Sequence, residues 1–121
     1  MRKLFAAITL GLTASLSLAG CSQPEALDMS IYEAVIDVRT PEEWDQGRLD
    51  TALRIGLADA DFIDQLAQLD PQDDYFLYCR SGNRAGQAIE IMRDLGFTGE
   101  IVNGGSLGNA ASLTGLPVVT D

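Results

Sequence analysis

Beyond its first thirty residues, the chain alternates short apolar runs with stretches patterned at helical spacing. Glu33-Ala34-Val35-Ile36-Asp37-Val38 is apolar and β-branched, which predicts a buried strand. Thr40-Pro41-Glu42-Glu43 then has the parts of a helix start: a hydroxyl for the N-cap, proline at the first position, and a glutamate placed to close a capping box. Residues 52–57 predict a second short strand. Over residues 61–69, Phe62, Ile63, Leu66 and Leu69 fall at helical spacing, and Asp70-Pro71 stops the run. Tyr75-Phe76-Leu77-Tyr78 predicts a strand that runs straight into Cys79. Ala85, Ala88, Ile89, Met92 and Leu95 predict one face of a helix over residues 84–95, ended by Gly96. Glu100-Ile101-Val102 predicts a last strand, followed by Gly104-Gly105 and a weakly patterned helix. Strand and helix in this alternation predict an α/β domain with a central parallel sheet flanked by helices. Ligands bind such sheets outside the C-terminal strand ends, and Cys79 falls at one.

The first twenty residues have a different character. Arg2 and Lys3 precede a charge-free apolar run over residues 4–18, too short to span a bilayer, which takes about 20 apolar residues. A basic start followed by a short apolar run is the pattern of a secretory signal. Leu18-Ala19-Gly20-Cys21 resembles the lipobox of bacterial lipoproteins, in which cleavage exposes the cysteine and its sulfur carries a diacylglycerol. The expected organisation is a signal peptide over residues 1–20, a lipid-bearing Cys21 with linker over 21–29, and one domain over 30–121. The expected location is a bacterial membrane surface facing the periplasm or the exterior.

Charge follows the same division. All 18 acidic residues lie after Cys21, where only six arginines oppose them, so the chain beyond the cysteine carries a formal charge of −12. So acidic a surface argues against nucleic acid and against docking on anionic lipid, and leaves the lipid anchor as the only membrane attachment. There is no histidine. Ser-His-Asp and Cys-His catalysis are thereby excluded, together with the usual zinc sites. There are two cysteines. If Cys21 is lipidated, Cys79 has no internal disulfide partner.

Cys79-Arg80-Ser81-Gly82-Asn83-Arg84 has the composition of a chemical device. A turn from strand to helix here leaves peptide N–H groups without helical partners. Gly82 lets the chain curl without a Cβ clash, and Ser81 and Asn83 tolerate turn geometry. Amides converging at a helix start form an anion-binding nest. Arg80 and Arg84 add positive charge, so a thiolate at Cys79, expected at the rim of this nest, would act beside a small bound anion.

Two segments resemble rhodanese-like domains. Asp37-Val38-Arg39-Thr40-Pro41-Glu42-Glu43-Trp44 is similar to that family's Asp-Val-Arg-x-Pro-x-Glu-aromatic signature, and the stretch from Cys79 to Gly86 is similar to its active loop. Gly104-Gly105 and Gly115-Leu116-Pro117-Val118 resemble its closing segment. The resemblance covers residues 30–118 and points to the short, exported, single-domain form of the phage-shock type. It implies a three-layer α/β fold and a sulfurtransferase that works through a Cys79 persulfide. The donor it implies is a small sulfur anion such as thiosulfate; the acceptor is cyanide or a thiol, a thioredoxin-like protein among them. By the same resemblance, residues 80–84 bind substrate, while Asp37 and Arg39 support the structure. Phosphatases of this fold place five residues between cysteine and arginine; the four between Cys79 and Arg84 suit sulfur better. The chain departs from the family at Gly47-Arg48-Leu49-Asp50-Thr51-Ala52, where Gly-His-Ile-x-Gly-Ala is usual, and near Asn109, where a tryptophan is common. A competing reading from another class is a persulfide-carrying or redox-sensing module that uses the same cysteine without turnover.

Overall fold

The computed structural model describes residues 25–121; the signal sequence and Cys21 lie outside the described residues. Four parallel strands form the central sheet in the order β3 (Leu53–Arg54), β1 (Ala34–Asp37), β4 (Tyr75–Cys79), β5 (Ile101–Ser106). The α/β expectation holds. The crossovers carry α1 (Pro41–Gln46), α2 (Phe62–Leu66) and α3 (Asn83–Asp94), and α4 (Leu107–Thr114) follows β5. A further pair, β2 (Arg48–Leu49) and β6 (Val118–Val119), makes a small antiparallel ribbon that the sequence pattern does not predict. Two-residue strands are too short to show a period.

Alternation along β4 divides the interior. Tyr75, Leu77 and Cys79 join Phe62, Leu66, Ala85, Ala88 and Met92 in a cluster under α2 and α3. Phe76 and Tyr78 point the other way, onto Val35, Leu49 and Ala110 near α4. Leu27 and Met29 pack partly against this second cluster, and the Leu27 N–H donates to the Leu113 carbonyl at 2.7 Å.

Thr40 caps α1 as predicted, with both halves of the capping box formed. α2 is shorter than its pattern, and α3 lies one residue earlier than its own. α2 ends at Leu66, after which tighter turns carry the chain to Leu69, and Ile63 is left 47% exposed. α3 ends at Asp94, so Leu95 falls at the C-cap and stands 45% exposed instead of joining Met92 in the core. Past a helix end, the helical period no longer sets where a side chain points. Gly104 and Gly105, which the sequence pattern puts after the last strand, lie inside β5.

The departure at residues 47–52 has a physical consequence. Thr51 occupies the left-handed region at φ 71, at the position where the family pattern has glycine. The backbone has kept a glycine's conformation while the side chain has become β-branched, the least tolerant type there. Beside it, Arg48 lays its guanidinium over the Trp44 ring at 4.6 Å from the centroid.

Thr51 is exposed, so its replacement removes no core contact. Thr51→Gly should stabilise the domain by about 1 kcal/mol, the order of the left-handed penalty for a side-chain-bearing residue. Urea unfolding of the two proteins tests this, and an unchanged or lower midpoint would show that the loop is not strained.

Candidate active site

β4 is buried at every residue and delivers Cys79 to the C-terminal edge of the sheet. The loop pattern predicts the sulfur at the rim, but the structure places it beneath the loop, with Cys79 at 0% exposure. The Gly82 N–H donates to Cys79 Sγ at 2.8 Å. Gly82 is the N-cap residue of α3, adopts φ 94, and offers no side chain to cap the first turn. The Asn83 N–H is taken by Ser81 Oγ at 3.4 Å, and the next N–H groups of the first turn, those of Arg84 and Ala85, are left available to an anion. A donor aimed at sulfur is complementary to negative charge there.

The two arginines of the loop have different surroundings. Arg80 and Ser81 are exposed, and Arg80 makes no hydrogen bond or ion pair among the described residues. Arg84 is engaged: its Nη1 and Nη2 reach Oε2 and Oε1 of Glu43, each at 2.8 Å. This fork ties α3 to α1 across 41 residues of sequence. Glu43 also closes the α1 capping box, receiving the Thr40 N–H at 3.1 Å. Its second role is invisible locally, because nothing in the capping motif names a distant arginine.

Asp37 and Arg39 form a buried ion pair, with Nη2 and Oδ2 2.7 Å apart. The Arg39 Nη2 also donates to the Gly47 carbonyl at 2.6 Å, and its guanidinium lies 5.5 Å from the Tyr78 ring centroid. On the far side of Tyr78, its hydroxyl accepts the Leu49 N–H at 3.0 Å. The pair thus joins β1 to the chain after α1, directly beneath β4's last turn. Removing one partner would leave an uncompensated buried charge, typically worth about 3–5 kcal/mol.

β5 supplies the remaining wall. Its pairing with β4 slips between Leu77↔Asn103 and Cys79↔Ser106, so Gly104 and Gly105 face Tyr78 alone, a bulge beside Cys79. Gly104 has no room for a side chain, since a Cβ would run into the Phe76 ring. A Cβ on Gly82 would come within 3.3 Å of the Gly105 Cα, so loop and bulge meet backbone to backbone. Asn103, which the sequence reading passes over, bridges them: Nδ2 donates to the Gly82 carbonyl at 2.9 Å and Oδ1 accepts the Gly105 N–H at 3.0 Å.

A cleft of about 170 Å³, bordered by Val38, Arg39, Thr40, Pro41, Ala58 and Arg84, opens between the end of β1 and the first turn of α3. Among the described residues, no group of three or more metal-ligating side chains is arranged to hold an ion.

Comparison with known proteins bears on this geometry. A family model described as the rhodanese-like domain matches residues 22–108. The thiosulfate sulfurtransferase PspE of Escherichia coli K12 is 36% identical over 86 residues, spanning 71% of this chain and 82% of that protein. Among solved structures, an E. coli rhodanese with anions superposes with a TM-score of 0.60 at 32% identity, covering 73% of this chain and 98% of its own. A rhodanese-related protein from Thermoplasma volcanium gives a TM-score of 0.61 at 27% identity, with 77% and 88% covered.

The Glu43–Arg84 fork has a pH signature. Hydrogen bonds from Arg84, joined by those from Thr40 and opposed by burial, hold the Glu43 carboxyl at about 2 against an ordinary 4.5. A depressed carboxyl contributes its stability fully above the ordinary value and loses it as pH falls toward the folded value. Glu43→Gln should therefore cost about 1 kcal/mol at neutral pH, the scale of a well-formed, partly exposed pair. That gap should close between pH 4.5 and about 2 when urea midpoints are compared. A gap independent of pH would remove the ion pair as its source.

Proposed function

The chain belongs to the rhodanese-like family of sulfurtransferases, and from that membership we propose that thiosulfate is its donor and a Cys79 persulfide its working intermediate. The observation that carries the reading is the Gly82 N–H aimed at Cys79 Sγ, beneath a helix start and beside the unpaired Arg80. In a chain of otherwise acidic character, this is where a sulfur nucleophile and an anion meet.

The chemistry runs in two displacements. The Cys79 thiolate attacks the outer sulfur of thiosulfate; an Sγ–S bond forms, the donor's S–S bond breaks, and its electron pair leaves with sulfite. The terminal sulfur of the resulting persulfide carries negative charge, and loop N–H groups with Arg80 stabilise it. Cyanide or a thiolate then attacks that sulfur, the Sγ–S electron pair returns to Cys79, and thiocyanate or a new persulfide departs. A thioredoxin-like protein is a thiol acceptor of suitable chemistry. Since Cys79 is covered, entry of the donor goes with displacement of the exposed Arg80 and Ser81. Arg84, held by Glu43, acts by fixing the loop's far end, while Arg80 is the guanidinium placed to meet the donor's sulfonate oxygens.

The reading extends to the N-terminus. The basic start, the short apolar run and Leu18-Ala19-Gly20-Cys21 support a lipoprotein signal over residues 1–20, with Cys21 as the lipid-bearing residue. The domain would then work tethered to a bacterial membrane, facing away from the cytoplasm.

Two experiments test these claims. Thiosulfate should add one sulfur atom to the intact mass, and Cys79→Ser should add none and form no thiocyanate with cyanide. Loading by a protein persulfide but never by thiosulfate would instead favour the carrier reading. Expressed in a bacterium, the full chain should partition into the detergent phase on Triton X-114 separation and Cys21→Ser into the aqueous phase; equal partitioning would exclude the lipid.

A further inference from the structure

We propose that Asn103 is a positioning residue for sulfur transfer: its carboxamide holds the Gly82 peptide so that the Gly82 N–H stays aimed at Cys79 Sγ. The inference rests on the sulfurtransferase reading for its kinetic consequence, but not for its structural one.

Among the described residues Gly82 carries the one hydrogen bond that reaches the sulfur, and it does so from φ 94, in the residue type with the widest conformational range. Left to itself, such a glycine would sample many peptide orientations. Its N–H can be held on the sulfur only if the rest of the residue is anchored. The Gly82 carbonyl accepts the Gly86 N–H at 3.0 Å, the opening bond of α3. Asn103 Nδ2 supplies the second anchor at 2.9 Å, from a different element.

Asn103 is itself held. Its Oδ1 accepts the Gly105 N–H at 3.0 Å, across the bulge where β5 slips against β4. Gly105 adopts φ 76, and its Cα lies 3.3 Å from where a Gly82 Cβ would sit. One carboxamide thus gives a donor to one and an acceptor to the other of the two left-handed glycines that meet beside the nucleophile. Asn103 is exposed, so burial does not explain its contacts. Asn109 offers a natural control: its Nδ2 donates to the Gly104 carbonyl at 2.8 Å, bracing the same bulge without reaching the loop.

The test compares Asn103→Ala, Asn103→Asp and Asn109→Ala in the full chain carrying Cys21→Ser. Asn103→Asp keeps the acceptor for Gly105 and loses the donor to Gly82 while adding a negative charge, so its Gly82 amide exchange, not its kinetics, carries the test if the alanine variant does not fold. Amide exchange measured by NMR should be about tenfold faster at Gly82 in either Asn103 variant than in Asn109→Ala, the effect expected for one weakened hydrogen bond. In the thiosulfate–cyanide assay, kcat should fall about tenfold with KM within about twofold, because the lost contact acts on the reacting sulfur and not on donor capture. Unchanged Gly82 exchange in both Asn103 variants would overturn the proposal. A rise in kcat would also overturn it, by making Asn103 a restraint on donor entry. If the parent protein transfers no sulfur, the sulfurtransferase reading fails while Gly82 exchange still decides the role of Asn103.

Discussion

A strand without a single exposed residue must be covered on both faces and hydrogen-bonded along both edges. β4 is such a strand, and its requirement sets the rest of the molecule. β1 and β5 take its edges. α2 and α3 cover Tyr75, Leu77 and Cys79, while α4 and the N-terminal residues cover Phe76 and Tyr78. Cys79 is the last residue of this buried run, so its backbone is held from every side. The exposed part of the site begins only at Arg80. A rigid strand thereby holds its sulfur beneath the loop that follows it.

The loop is fixed from three directions by different physical means. Arg84 ties its C-terminal end to α1 through a charge-assisted fork with Glu43. The buried Asp37–Arg39 pair stiffens the ground beneath it and reaches the Gly47 carbonyl. β5 meets it without side chains at Gly82 and Gly105, and Asn103 bridges the contact. Five of the six arginines after Cys21 have defined partners: Asp37, the Trp44 ring, Asp59, Glu43, and the carbonyls of Phe97 and Gly99. In an acidic chain such pairing is the default, which gives the unpaired, exposed Arg80 beside Cys79 its weight.

The altered β2–β3 segment shows how a family backbone persists through substitution. Thr51 keeps a positive φ suited to glycine, and Arg48 stacks on Trp44 where a histidine is usual. Asn109 stands near the missing tryptophan and bonds to the Gly104 carbonyl. The changes lie around the site's periphery and leave the sulfur and its amide donor in place.

Much of this was legible in the chain alone, wherever the governing physics is local. A continuous aromatic and apolar run marked β4 and placed Cys79 at its end; the Thr40–Glu43 capping box is a contact across three residues; and the turn residues after Cys79 announced a helix start. Tertiary structure decided what depends on distant partners. Glu43 meets Arg84 across 41 residues and Asn103 meets Gly82 across 21, and no local period encodes either pairing. The same holds for the burial of the sulfur beneath its loop, the bulge that brings Gly105 against Gly82, and the exposure of Leu95 once α3 has ended. Periodicity reports which face of an element is apolar; only the packed chain determines what stands opposite.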